Sequence, residues 1–179
     1  MLSNLGFRLM ALEYRLRDLL RPPDWILRQV GVRPGMDVLD LGCGPGSFSL
    51  AAAGLVGPEG SVYAVDIHPL AIRRVGRAAN RLGVSHLQVI HGHELSRVPD
   101  ESVDIALLFD VLHEIREPGP TLAEIRRVLR QHGVLAVADH HLEEASLLHT
   151  VTGDSLFRLV PGGRGALRFE PTRGTGRGA

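Results

Sequence analysis

At 179 residues, 44% of them hydrophobic, the chain is long enough for one α/β domain with a proper core and too short for two. Its 20 basic and 20 acidic side chains balance to a formal net charge of zero, which removes any global pull toward nucleic acid or an anionic membrane. Every basic residue is Arg, which excludes lysine Schiff-base chemistry and a lysine-bearing phosphate loop; the single cysteine, Cys43, excludes an intrachain disulfide and a multi-thiol metal site.

No apolar run approaches membrane-spanning length, and the N-terminus lacks the basic-then-apolar order of a signal peptide. A cytoplasmic protein is expected. The first segment carries Leu2, Leu5, Leu9, Leu12, Leu16 and Leu19 in alternating steps of three and four, the spacing of an amphipathic helix. Three readings of that stripe stay open: a helix packed on its own domain, a lid over a site, or a short homodimer seam. Pro22 and Pro23 end the segment, a second short helix runs to Val30, and Val32 to Gly35 turn the chain into a strand.

That strand is the centre of the sequence. Val38 to Gly46 reads VLDLGCGPG: an apolar run around Asp40, then Gly42, Gly44 and Gly46, then a helix over residues 47–53. Glycine at every second position describes a tight turn in which a Cβ would bar the backbone from a ligand, with unpaired N–H groups of a helix start behind it. A dinucleotide turn, G-x-G-x-x-G, would need its third glycine at position 47, where the chain has Ser47. The stretch closely resembles motif I of the class I S-adenosylmethionine-dependent methyltransferases. A carboxylate such as Asp40 suits a cofactor end that carries an ammonium and a sulfonium, and would repel a pyrophosphate.

Residues 61–66 form a second buried strand ending in Asp66, where a doubly wound fold brings it beside the first. In the family the matching acid accepts both ribose hydroxyls, so the resemblance assigns that role to Asp66, with Ile67 next to it in the cofactor site. A helix follows over residues 69–82, with Arg73, Arg74, Arg77 and Arg81 mostly on one face, and residues 86–91 read as the third strand. Where many relatives have Gly-Asp-Ala against the adenine, this chain has Gly92-His93-Glu94, leaving stacking by His93, a polar role for Glu94 or a backbone contact open.

The fourth strand, residues 103–109, ends in Phe109 and is followed by DVLHEI, similar to the segment of small-molecule C- and O-methylating relatives. The Asn/Asp-Pro-Pro-aromatic sequence of amine-methylating DNA and glutamine enzymes is not there. A helix over 118–130, a fifth strand over 134–139 and a helix over 142–151 come next. A terminal hairpin over 155–160 and 165–169 closes the pattern, and residues 171–179 read as a disordered tail.

The expected fold is α/β: a doubly wound, mostly parallel seven-stranded sheet with an antiparallel last strand and an N-terminal helical extension. One domain spans residues 1–170, with residues 1–30 as the extension and 31–170 as the cofactor-binding core. The resemblance implies methyl transfer from S-adenosylmethionine held by Asp40, Gly42, Gly44, Gly46, Asp66 and Ile67, with His93 and Phe109 closing the adenine and methionyl ends. The expected acceptor is a small molecule, with no role for nucleic acid or membrane. Side chains after strands four and five fall at the sheet edge where such folds bind ligands. Among them His113 and His140 are the candidate bases, and no spacing points to a metal. The rival reading is a cofactor-binding protein without catalysis.

Overall fold

The structure, a computed structural model, describes residues 5–7, 9, 11, 12, 14, 22–93 and 95–172. Three apolar runs without alternation form its middle: β1 (Asp37–Leu41), β2 (Ser61–Asp66) and β4 (Val103–Phe109), each buried almost throughout. Such runs suit strands covered on both faces. With β3 (Leu87–His91), β5 (Leu129–Ala138), β6 (Phe157–Val160) and β7 (Leu167–Pro171) they make one seven-stranded sheet, ordered β3-β2-β1-β4-β5-β7-β6. The first five strands are parallel, and β7 runs antiparallel to β5 and β6. The strand order reverses between β1 and β4, which opens a crevice at their C-terminal ends.

Besides the partly described N-terminal helix, the sheet is covered among the described residues by α1 (Pro23–Val30), α2 (Ser47–Val56), α3 (Pro69–Leu82), α4 (Pro118–Val128) and α5 (Glu144–Thr152). Alternate residues of the strands feed opposite cores. Val38, Val62 and Ala64 pack with Leu27, Ala52 and Val75 of α1, α2 and α3. Leu39, Leu41 and Val65 pack with Leu122 and Ile125 of α4 and Leu147 of α5. Among the described residues no helix is long and apolar enough to cross a membrane.

The expected boundaries shift in several places, among them α5 (Glu144–Thr152) and the starts of the hairpin strands, each by two residues or fewer. Helix α2 runs to Val56, carried through Gly54 by the packing of Ala52, Ala53 and Val56 in the core, and ends at Gly57. Helix α4 stops at Val128 and β5 begins at Leu129, with a register shift where Val103 and Ile105 face Leu129 and Val134. In this stretch the Arg130 guanidinium reaches Asp37 (3.0 Å) and Asp104 (2.6 Å), while Asp104 also accepts from the Asp37 N–H (2.8 Å). That clamp ties the N-terminal ends of β1, β4 and β5. Strand β7 continues through Pro171, and Thr172 donates to Leu156 and Ser155, so the sheet takes up two residues of the expected tail; residues 173–179 lie outside the described residues.

The N-terminal segment differs more. Leu5, Leu9 and Leu12 are exposed (68%, 61% and 56%), while Phe7 and Ala11 are buried against Leu70 and Ala71 of α3. The helix therefore packs through the face opposite its leucine stripe, because an aromatic ring and a small residue one turn apart fit the gap beside α3. Leu2, Leu16 and Leu19 lie outside the described residues.

Candidate active site

Directly after β1, Gly42, Gly44 and Gly46 all take positive φ (77°, 49° and 92°). The turn is pinned from β2: the N–H groups of Gly42 and Cys43 both donate to the Val65 carbonyl, at 2.8 and 3.0 Å. A Cβ on Gly42 would fall 2.5 Å from Val111, so the loop after β4 demands glycine there. Asp66, at the end of β2, completes the frame. Its Oδ2 accepts from the Gly44 N–H (2.8 Å) and its Oδ1 from the His68 N–H (2.7 Å), joining the glycine turn to the start of α3. Each carboxylate oxygen has a second lone pair with which to accept from a ligand.

Gly42, Gly44 and Asp66 line a cavity of about 330 Å³ at the C-terminal edge of the sheet. Ile67 and His93, which follow β2 and β3, share its wall with Asp110 and Val111, which follow β4. Phe7 and Tyr14 reach it from the N-terminal helix, and Phe7 stacks on the ring of His68 with centroids 4.7 Å apart. These two aromatic residues and His68 escaped the sequence reasoning, which followed the leucines. The readable signal was His68 directly before Pro69, since His68 caps α3 by accepting from the Leu70 N–H. Glu94 lies outside the described residues.

Five of the eight residues expected around the cofactor thus come together: Gly42, Gly44, Asp66, Ile67 and His93. The other three stand elsewhere. Asp40 is 2% exposed and does not line the cavity; its carboxylate accepts from Ser49 Oγ at 2.5 Å. The reason is its place in β1, where the central strand turns that side chain under α2. Burial pushes the Asp40 carboxyl up to about 6, against the Ser49 hydrogen bond and with help from the Asp66 charge. Gly46 packs on α3, since a Cβ there would meet Val75 at 2.6 Å. Cys43 is buried, and burial followed by the Asp40 and Asp66 charges pushes its thiol well up, which disarms it as a nucleophile.

Phe109 lines a second cavity, of about 580 Å³, and meets Phe48 edge-on at 4.7 Å. The two cavities share Asp110. Asp110 takes a left-handed conformation (φ 54°), its N–H fastened to the Ala138 carbonyl (2.7 Å) and its carboxylate paired with His140 Nδ1 (2.5 Å). His140 lines the second cavity; His113 lines neither. Instead His113 Nδ1 lies 2.9 Å from the Asp139 carboxylate, which also accepts from the backbone N–H groups of His113 and His141. Burial raises the Asp139 carboxyl, and these bonds with the His113 charge outweigh it, leaving it below the usual carboxylate range. Among the described residues no three His, Cys, Asp or Glu side chains are grouped to hold a metal.

Comparison with known proteins settles the family. A family model described as a methyltransferase domain matches residues 33–159. The chain belongs to the methyltransferase-domain family. Within it, the UbiE ubiquinone/menaquinone biosynthesis C-methyltransferase of Marinomonas is 33% identical over 138 residues, 75% of this chain and 55% of that protein. The chain spans about half the length of the curated relatives it matches. The crystal structure of a SAM-dependent methyltransferase from Aquifex aeolicus superposes with a TM-score of 0.74 at 24% identity, over 87% of this chain and 91% of that one. The [4+2]-cyclase SpnF also shares the fold, with a TM-score of 0.68 at 21% identity over 79% of this chain and 57% of its own.

S-adenosylmethionine is the cofactor of this methyltransferase family, and the cavity fits it. Its wall holds three carboxylates, Asp66, Asp110 and Glu114, and among the described residues no arginine. A pyrophosphate would be repelled there, whereas a nucleoside with a cationic tail is attracted. Asp66, Ile67, Val111 and His93 line the cavity together.

Proposed function

We propose that the chain transfers a methyl group from S-adenosylmethionine to a small-molecule acceptor held in the second cavity. The observation that carries this reading is the meeting of two cavities at one residue, Asp110. A donor in the first and an acceptor in the second would face each other across its carboxylate, and alignment of that kind supplies several kcal/mol of such a barrier. When bound, the cofactor supplies an electrophilic methyl group on a leaving sulfur that departs neutral. The UbiE relative is a C-methyltransferase by its name, and the family segment DVLHEI supports a small-molecule acceptor without fixing the atom methylated.

The residues divide the work. Gly42 and Gly44 let the backbone approach, Asp66 holds the sugar, and Ile67 and His93 flank the base. His140 is the acceptor-side base: with Nδ1 held by Asp110, Nε2 is the nitrogen that takes a proton. His113 is a positioning residue, holding Asp139 and so the loop that presents His140. Work in the cytoplasm, as a monomer or homodimer and without nucleic acid, belongs to the same proposal.

The test is calorimetry with S-adenosylmethionine and NADH side by side, followed by release of S-adenosylhomocysteine in the presence of fractionated small-molecule extract. Uptake of the first ligand alone and turnover that falls at least tenfold in His140→Gln support the reading. Uptake without turnover on any fraction supports the non-catalytic rival, and preference for NADH overturns both.

A further inference from the structure

The second cavity has a wall of one chemical character. Trp25, Phe48 and Phe109 give it aromatic surface, and Ile26, Leu142 and Leu147 give it aliphatic surface. Its polar residues are Asp110, Asp139, Glu144 and His140; the Asp139 carboxylate is fully buried against His113, which leaves Asp110, paired with His140, and Glu144 as the carboxylates of the wall. The chain has 20 basic residues, all of them arginines, yet among the described residues none lines this cavity. Arg168, on β7 beside the lining residue Leu167, turns its guanidinium to the β6–β7 turn, against Gly162, Gly163 and the Pro161 carbonyl.

We infer that the acceptor is an apolar amine, bound as its cation with its hydrocarbon part among the aromatic rings and its nitrogen toward Asp110 and His140. This rests on the methyl-transfer reading and goes beyond it by naming the acceptor class. A carboxylate or phosphate brought to this wall would meet the like charges of Asp110 and Glu144 in a partly desolvated space, with no guanidinium among the described lining residues to compensate. An ammonium meets opposite charges and aromatic faces, both of which attract cations. A neutral alcohol gains from neither.

The chemistry closes on the same residues. His140 Nε2 takes one proton from the ammonium, which frees the nitrogen lone pair. That lone pair forms the new N–C bond as the C–S bond of the sulfonium breaks, its electron pair staying on sulfur. The product is the methylated amine as its cation, beside a neutral thioether and an imidazolium whose proton passes to water. The sequence does not announce this, since Glu144 and Trp25 carry no motif and DVLHEI resembles the segment of C- and O-methylating relatives; the cavity wall is what carries it.

An isosteric series decides it: phenethylamine, 2-phenylethanol and 3-phenylpropanoate, titrated into the full chain with and without saturating S-adenosylhomocysteine. Trp25 is the only tryptophan of the chain and lines the cavity, so its emission reports occupancy. Phenethylamine is expected to bind at least tenfold tighter than the alcohol, with the carboxylate weakest, and Glu144→Gln is expected to narrow the amine-to-alcohol ratio about threefold to fivefold. Equal binding of amine and alcohol, tighter binding of the carboxylate, or no change in Trp25 emission with any of the three overturns the inference. A separate calorimetric titration with S-adenosylhomocysteine reports on the methyl-transfer reading: uptake there without amine preference sinks only the acceptor class.

Discussion

Replacing Asp66 with Asn probes the frame of the cofactor cavity with the least change of shape. Asn keeps one acceptor oxygen and turns an NH2 toward the other donor, so either the Gly44 or the His68 N–H loses its partner. A backbone N–H deprived of its acceptor costs roughly 1–3 kcal/mol; Asp66 is half-buried and water recovers part of this, so about 1–2 kcal/mol of stability is expected to go. Binding suffers separately. A carboxylate that accepts from a sugar hydroxyl contributes about 1.5–3 kcal/mol, so S-adenosylmethionine is expected to bind roughly tenfold to a hundredfold more weakly. Urea unfolding followed by Trp25 emission reads the first effect and isothermal titration the second. An Asp66→Asn variant whose unfolding midpoint and cofactor affinity both match the parent within error would refute the assignment.

Three further outcomes follow from described contacts. Asp40 has a folded pKa of about 6 against an ordinary 3.8, so the folded state binds its proton more tightly; the stability this group contributes is fullest below about pH 4 and is lost as pH rises through 6. The difference amounts to about 3 kcal/mol in all, of which about 2 kcal/mol falls between pH 4.5 and 7.5, and Asp40→Asn should gain on the parent by that amount between those values in urea midpoints; an equal gap at both contradicts the burial argument. Gly42→Ala places a Cβ 2.5 Å from Val111 at φ 77°, and left-handed strain plus overpacking should cost roughly 2–4 kcal/mol, read as a lower melting temperature with weakened cofactor uptake. Arg130→Met cuts the clamp on Asp37 and Asp104 and should destabilise by about 1–2 kcal/mol while leaving S-adenosylmethionine affinity unchanged, because the contact is partly exposed and lies at the far end of the strands.

The fold was legible where hydrophobic pattern and turn chemistry agreed. The apolar run into Gly42, Gly44 and Gly46 fixes β1, its turn and α2; the acid ending β2 and the Gly-bearing hairpin follow from equally local signals. The cavity around Gly42, Gly44, Asp66, Ile67 and His93 was readable for the same reason, since all five follow strand ends in chain order. What failed was direction. Asp40 and Gly42 are two positions apart, yet one is drawn beneath α2 by Ser49 while the other meets Val111, and no spacing reports which helix will claim a side chain. The leucine stripe misled in a similar way: its period marks an amphipathic helix, but Phe7 and Ala11 are what the surface beside α3 accommodates. His113 and His140 looked equivalent in sequence, and only the positions of Asp110 and Asp139 separate the one at a cavity wall from the one behind it.

The arginine clamp on Asp37 and Asp104 sits where the parallel strands begin, and both cavities sit where they finish. Anchorage and chemistry are thereby assigned to opposite rims of one sheet. The loops after β3, β4 and β5 can be rebuilt for a new acceptor without loosening the knot that keeps those strands in register, which makes this chain a favourable starting point for redirecting its specificity.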